Sequence, residues 1–378
     1  MKVLHVFITL PVGGAEDLVL SLVRNAPSGD LVEIACLKDL GPAGEEALAL
    51  GLPVHHLSLL SSKRLNFFAI LRLGQWIKAH GYEVVHSHVY NAHVYAVPAA
   101  RIAGVPAIIH HHKTFQQDRL RRWLLLRLLS KLASAQIALS DQTRSDLMKS
   151  LRISPHSFFS LPNAVDSKTF CPSNDRGSLR QSLGLPLERK IFGSVASLTP
   201  PKNHAASVEA MATVLPFAPE ILCIICGEGR LRPDLQSQIE SRGMAASVRL
   251  LGNQRPVLPW IQSLDFLLMP SLWEGQPMIL LQAISCGIPI LASRIEGNVA
   301  ALGENHPGLF DLDAPGSYAA TLRRATKDEE FRMEILDYQA RLKEEACGLP
   351  AYLSKLRKIY QTCFHGEAHH RNSQNPSP

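Results

Sequence analysis

Residues 266–293, FLLMPSLWEGQPMILLQAISCGIPILAS, decide the fold. The apolar run Phe266–Met269 has the length of a buried strand. A loop follows with one acid, Glu274, then Gly275 and Pro277, and a short apolar helix begins after them. A second apolar run, Ile290–Ala292, completes a strand–helix–strand unit of the kind that builds parallel sheets. A carboxylate beside a helix N-terminus can hold a polar, partly anionic ligand. The helix end offers unpaired N–H groups and positive potential, and the acid accepts hydroxyl hydrogen bonds. Eight residues past Glu274, where a second acid would complete a pair, stands Gln282.

The same alternation extends in both directions from this stretch. Towards the N-terminus the strands read Val3–Thr9, Val32–Leu37, Val54–Leu57, Val84–Ser87, Ala107–His111, Gln136–Leu139 and Phe158–Leu161, with helical stretches such as Ala15–Asn25, Asn66–His80 and Asp141–Leu151 between them. The polar segment Asn174–Ser182 breaks the rhythm. A second series then follows: Ile191–Ala196, Ile221–Cys226, Val248–Leu250, Phe266–Met269 and Ile290–Ala292. The expected class is α/β, with two doubly wound, Rossmann-like domains at 1–168 and 169–347 presenting strand C-termini to a shared central cleft. A C-terminal helix is expected at 348–365. Residues 366–378 lack apolar periodicity and read as a disordered tail.

At 378 residues and 46% hydrophobic content the chain can bury a sizeable core in more than one domain. A net charge of +6 is too small to imply nucleic acid, but it suits anionic substrates or an anionic membrane surface. Seven cysteines form no framework, and their odd number fits a reducing compartment. Cys223 and Cys226 imitate a C-x-x-C pair but sit in an apolar strand and read as buried free thiols. No signal peptide is evident, and nothing approaches the about 18 uninterrupted apolar residues of a membrane span. A cytoplasmic location is expected.

Several residues could carry chemistry. Gly13 and Gly14 follow the first strand and open a helix, which lets backbone approach a phosphate or sugar, although such a pair also serves simply as a tight turn. Lys202, in a loop after the first strand of the second domain, is placed to neutralise a diphosphate. Histidines cluster where two strands end: His86 and His88, then His110, His111 and His112. Adjacent histidines on a strand alternate faces, so no metal site is expected, and hydrogen bonding to a polar ligand is the favoured role. The basic segment Arg119–Leu132 reads either as a core-packed helix or as one touching anionic lipid through its arginines while Trp123 and the leucines insert.

Taken in order, Gly13-Gly14-Ala15-Glu16, Val85-His86-Ser87-His88, Ser140-Asp141, Leu161–Asp166, Ser197–Asn203, Cys226–Gly229, Leu250–Gly252 and Pro270–Gly275 resemble the family-4 retaining glycosyltransferases of GT-B fold, over roughly residues 1–345. The resemblance implies metal-independent transfer of a sugar, with retention, from a nucleotide diphosphate sugar and without a further cofactor. The acceptor would be a glycan or a lipid-linked molecule, as in bacterial polysaccharide or lipopolysaccharide synthesis at the inner face of the plasma membrane. It implies that Lys202 holds the diphosphate, that Gly14 lets the first-domain loop approach it, and that Glu274 binds sugar hydroxyls. Amides of Gly275, Gln276 and Met278 would cap sugar and phosphate. His112 would contact the donor sugar near the reacting carbon, with Gly13, Ser197, Gly227 and Gln282 completing the donor site.

The chain departs from the family at four points. Ser197 replaces an arginine, Gln282 the second acid, Ala164 a glycine and Ala300 a common acid. Lys113 and Arg230 are the candidates to replace the missing cation. These departures also leave open a non-catalytic GT-B protein that binds nucleotide or glycan. A GT-B epimerase fits the spacing less well.

Overall fold

The computed structural model describes residues 1–61, 65–112, 120–346 and 348–374. Among the described residues there are thirteen strands: β1 (Lys2–Phe7), β2 (Leu31–Cys36), β3 (Val54–His56), β4 (Val84–His88), β5 (Ala107–His111), β6 (Ala135–Ala138), β7 (Phe158–Ser160), β8 (Lys190–Val195), β9 (Ile221–Cys226), β10 (Val248–Gly252), β11 (Phe266–Met269), β12 (Ile290–Ser293) and β13 (Leu309–Phe310). They form two sheets, ordered β3-β2-β1-β4-β5-β6-β7 and β10-β9-β8-β11-β12-β13, and every named pairing within them is parallel. Both orders reverse direction once, between β1 and β4 and between β8 and β11. These are the switch points at which doubly wound folds take ligands. The two-residue β13 is too short to stand out in the sequence.

The chain divides into two units, Met1–Asn163 with Leu349–Pro378, and Ala164–Gly348. The division therefore falls after Asn163, earlier than the expected 168, and the C-terminal helix belongs to the first unit. That helix runs from Leu349 to Gln374, so 366–374 are helical where an irregular tail was expected. Extending a formed helix adds one bond per residue without a new nucleus, so it needs no apolar periodicity. Residues 375–378 lie outside the described residues.

Side-chain alternation sets the layers of the first unit. Leu4 and Val6 of β1 enter one core with Val85, Ile109, Leu73 and Ala96. Phe7 enters a second core with Ile34, Cys36 and Val19. In the second unit Phe192, Cys223, Ile225, Phe266 and Leu268 pack with Val208, Met211, Leu235 and Leu322. Cys223 and Cys226 are buried free thiols whose pKa burial pushes up to about 12.

Candidate active site

In the second unit the loops after β8, β9, β11 and β12 are bonded to one another. The Leu198 amide donates to the Glu228 carbonyl at 2.9 Å, and the Leu231 amide to the Leu198 carbonyl at 3.1 Å. The Leu272 amide donates to the Pro201 carbonyl at 2.8 Å, which joins the two sides of the switch point. Gly227 has φ +153°, and a Cβ there would lie 2.0 Å from the Ala196 carbonyl oxygen; no other residue permits that approach. Gly297 likewise packs its backbone under the acid loop, where a Cβ would lie 2.5 Å from the Glu274 carbonyl oxygen.

On this base Lys202 Nζ donates to Glu274 Oε1 at 2.5 Å, and Ser271 Oγ donates to the same oxygen at 2.9 Å. The support continues inward: Ser293 Oγ donates to the Ser271 carbonyl at 2.5 Å, and Asn298 Nδ2 to the Ser293 carbonyl at 2.9 Å. Ser271, Ser293 and Asn298 are fully buried, so the acid stands on a rigid foundation. Its side chain keeps 10% exposure and that of Lys202 22%, which leaves the pair reachable from solvent. His204 Nε2 faces the Ser197 carbonyl at 3.2 Å, and burial lowers its pKa to about 4.

The first unit carries different chemistry at its switch point. Registers His5↔His86 and His88↔His110 put these imidazoles on one face. His112 follows His110 by two residues and joins them, with ring centroids 4.2 Å apart. As expected, the histidines do not all converge. Adjacent histidines do alternate, and His111 leaves the array to meet Gln136 Oε1 at 2.9 Å, but every second one converges. His112 Nε2 meets His88 Nδ1 at 2.8 Å, and His88 Nε2 meets His5 Nδ1 at 2.8 Å. Tyr360 Oη lies 3.4 Å from His5 Nε2 and 2.7 Å from His86 Nδ1. Burial first, and then mutual repulsion, lowers the pKa of His5 to about 3 and those of His86, His88 and His110 well below the ordinary value, so the rings are neutral. At the Gly13-Gly14 turn, the buried Glu16 brings its carboxylate against Gly13.

Family models match both units. The model described as "Glycosyltransferase Family 4" matches residues 12–169, and that of "Glycosyl transferases group 1" matches 175–343. The chain belongs to the family-4 glycosyltransferases of GT-B fold. It is therefore an enzyme, a glycosyltransferase. It is 26% identical over 349 residues to the UDP-Gal:alpha-D-GlcNAc-diphosphoundecaprenol alpha-1,3-galactosyltransferase of Escherichia coli, covering 87% of this chain and 89% of that one. It is 27% identical to the putative glycosyltransferase EpsF of Bacillus subtilis (strain 168), covering 89% and 90%. Among solved structures, Anabaena HepE in complex with UDP and glucose superposes with a TM-score of 0.83 at 18% identity, over 96% of this chain and all of that one. The lipopolysaccharide glycosyltransferase WaaG superposes at 0.72 and 17%, over 95% and 99%. These likenesses show a shared fold.

Within the glycosyltransferase, the expected residues fall in two places. Ser197, Lys202, Gly227, Glu274, Gly275, Gln276, Met278 and Gln282 belong to the second unit, and Gly13, Gly14 and His112 to the first. Gln276, Met278 and Gln282 are buried, whereas Ser197 is exposed. Arg230 is exposed on the loop pinned to Leu198, one strand end from Ser197; Arg232 is held by Glu228 at 2.7 Å. Lys113 and Arg119 lie outside the described residues. Helix Leu120–Leu132 buries Leu126 and Leu129 and exposes Leu120, Leu124, Leu128 and Leu132 beside Arg121, Arg122 and Lys131. Trp123 does not project: its Nε1 donates to Ser150 Oγ at 3.0 Å, and its ring packs near Leu126 and Phe158. The sequence reading missed Ser271, Ser293, His5 and Tyr360. Only Ser271, three residues before Glu274, left a local signal.

Proposed function

We propose that this glycosyltransferase moves a sugar from a nucleotide diphosphate sugar to a lipid-linked or glycan acceptor, with retention of anomeric configuration, in bacterial cell-surface polysaccharide or lipopolysaccharide synthesis. The observation that carries this reading is the Lys202–Glu274 pair at the second unit's switch point. A donor that places phosphate beside sugar hydroxyls answers both members of the pair. Lys202 takes the diphosphate and offsets charge as the nucleotide leaves, the term such a transfer most needs. Lys202 and Ser271 both bond Oε1 of Glu274, so Oε2 is the oxygen assigned to sugar hydroxyls.

The lysine supplies this charge in the reading, so no metal is assigned to the diphosphate, and turnover is expected not to rise with Mg2+ or Mn2+. Arg230 takes the part of the cation absent at Ser197. His112, whose Nε2 meets His88 Nδ1 at 2.8 Å, is the residue assigned to the donor sugar. The Escherichia coli relative is named for a diphosphoundecaprenol acceptor, which supports a lipid-linked one here. Among the described residues no helix is long and apolar enough to cross a membrane. The leucine stripe of Leu120–Leu132 with its flanking arginines is the surface assigned to peripheral contact with anionic lipid at the cytoplasmic face.

A thermal-shift screen of UDP-, GDP- and ADP-sugars, followed by transfer assays with the stabilising donor, tests the reading. One class of nucleotide sugar should stabilise the protein, and Glu274→Ala should abolish most of the transfer. Undiminished transfer by that variant would sink the assignment of the site.

A further inference from the structure

We propose that His88, His110 and His112 of the first unit form a binding site for a divalent transition-metal ion, distinct from the second unit's Lys202–Glu274 pair and sharing His112 with the donor-sugar contact proposed above. One ring nitrogen from each of the three lies within 4.8 Å of the others. In a tetrahedral zinc site, nitrogens about 2.0–2.1 Å from the ion stand roughly 3.4 Å apart, so small ring rotations close the set. All three donors are imidazoles, which suit Zn2+, Co2+, Ni2+ and Cu2+ over Mg2+ or Ca2+.

Two further observations point to a ligand. His110 is fully buried, yet among the described residues neither of its ring nitrogens has a partner, and a buried polar group left so costs about 1–3 kcal/mol. The second concerns His88, whose Nε2 is already held by His5 Nδ1 at 2.8 Å. If His88 Nδ1 ligates, its Nε2–H donates to His5, His5 Nε2–H faces Tyr360 Oη, and Tyr360 O–H donates to His86 Nδ1. One tautomer assignment satisfies every bond from His88 to His86 Nδ1 and leaves His86 Nε2–H without a partner among the described residues; such a chain is the outer support that metal-binding histidines ordinarily have.

The short His88 Nδ1 to His112 Nε2 contact needs one proton between two neutral rings, and an ion would take that proton's place. The alternative trio His5, His86 and His88 also has one contact within itself, His88 Nε2 to His5 Nδ1, but all three of its members are buried and Tyr360 Oη already meets His86 Nδ1 and His5 Nε2. His112 is partly exposed just past the end of β5, whereas every member of the alternative trio is buried.

The test uses full-length protein, freed of any affinity tag and dialysed against a chelator, titrated with Co2+ and then Zn2+. Saturable uptake of one ion per chain is expected, with visible absorption bands of four-coordinate Co2+ that Zn2+ abolishes. His110→Ala and His88→Ala should lose binding by at least a hundredfold. His5→Ala, which removes only the outer partner, should lose about 10- to 100-fold, and the exposed His80→Ala should bind as wild type. Circular dichroism checks that each variant is folded. Should the array variants fail to fold, the wild-type titration decides alone. Absence of saturable uptake by folded wild type, or His110→Ala binding as tightly as wild type, would overturn the proposal and leave a hydrogen-bonded imidazole array only.

Discussion

At the ends of β8 and β11 the second unit sets a lysine against a glutamate; at the ends of β1 and β4 the first unit sets imidazole against imidazole. The six-stranded sheet repeats the order of the first six strands of the seven-stranded one, with the same switch point. What differs is where on the strand the polar group begins. Lys202 and Glu274 come from loops beyond the strands, where solvent still reaches them and charge is tolerated. His5, His86, His88 and His110 lie within the strands, where burial removes charge and leaves only neutral hydrogen bonding or ligation. One topology thus supplies an ionic site and a neutral site by shifting the functional residue a few positions.

The largest effect should come from breaking the ionic site. Lys202→Ala and Glu274→Ala are each expected to lower turnover by about 10²–10³, the usual cost of removing one preorganised charge partner. Melting temperature should hardly move for Lys202→Ala, whose side chain is partly exposed, whereas Glu274→Ala leaves the buried Ser271 hydroxyl unpaired and should cost about 1–3 kcal/mol, still less than the loss of turnover. Parallel measurement of turnover and melting separates the two. If stability fell as far as activity, the pair would be structural and the contrast with the histidine array would collapse.

A smaller effect is expected at the absent cation. Arg230→Ala should raise the donor KM ten- to a hundredfold, the worth of one charge-assisted hydrogen bond of roughly 1.5–3 kcal/mol. Ser197→Arg should tighten donor binding and make Arg230 dispensable. Steady-state kinetics of the two single variants and the double variant check this, and an Arg230→Ala enzyme with unchanged KM removes Arg230 from the site.

How much of this contrast was legible depends on whether the signal was local. The strands other than β13 were, because β-branched runs and loop chemistry are properties of short windows. Glu274, Gly275 and Lys202 were legible for the same reason, each standing in a loop directly after an apolar run. The histidine array was not. Its members sit on three strands, and only the registers His5↔His86 and His88↔His110 put them on one face. Tyr360 comes from 274 residues beyond His86, and no window holds both. Ala164 replaces a family glycine without strain, since its φ is not positive; the sequence could not show that the turn never needed one.

The surfaces differ as well. Only the first unit carries the leucine stripe of Leu120–Leu132 assigned to lipid contact, and Leu124→Glu and Leu128→Glu test it. Each should weaken binding to anionic vesicles about tenfold, since burying a leucine is worth about 1.5–3 kcal/mol and the stripe inserts only in part. Cosedimentation with vesicles rich in anionic lipid is the measurement. Turnover on a soluble acceptor should stay as in wild type. Equal binding by the double variant would show that the stripe faces something other than lipid.

The smallest effect isolates burial from the array. His306 of the second unit is buried away from the switch point; the Gly308 amide donates to its Nδ1 at 3.1 Å, and its Nε2 meets Gln339 Oε1 at 3.2 Å. Burial lowers its pKa from 6.5 to about 4. The unfolded chain therefore binds the proton first. The stabilisation from keeping His306 neutral is complete above pH 6.5 and is lost as pH falls towards 4. His306→Gln should flatten the fall of stability across that window by up to about 1.4 kcal/mol per pH unit, read from denaturant melts at successive pH values. His93, buried in the first unit with Nδ1 facing Ser87 Oγ at 2.8 Å, has its pKa lowered for the same reason, so His93→Gln should flatten the slope in the same direction. If His306→Gln left the slope unchanged, burial alone would not account for neutral imidazole in this protein, and the array's neutrality would have to come from its rings' mutual repulsion.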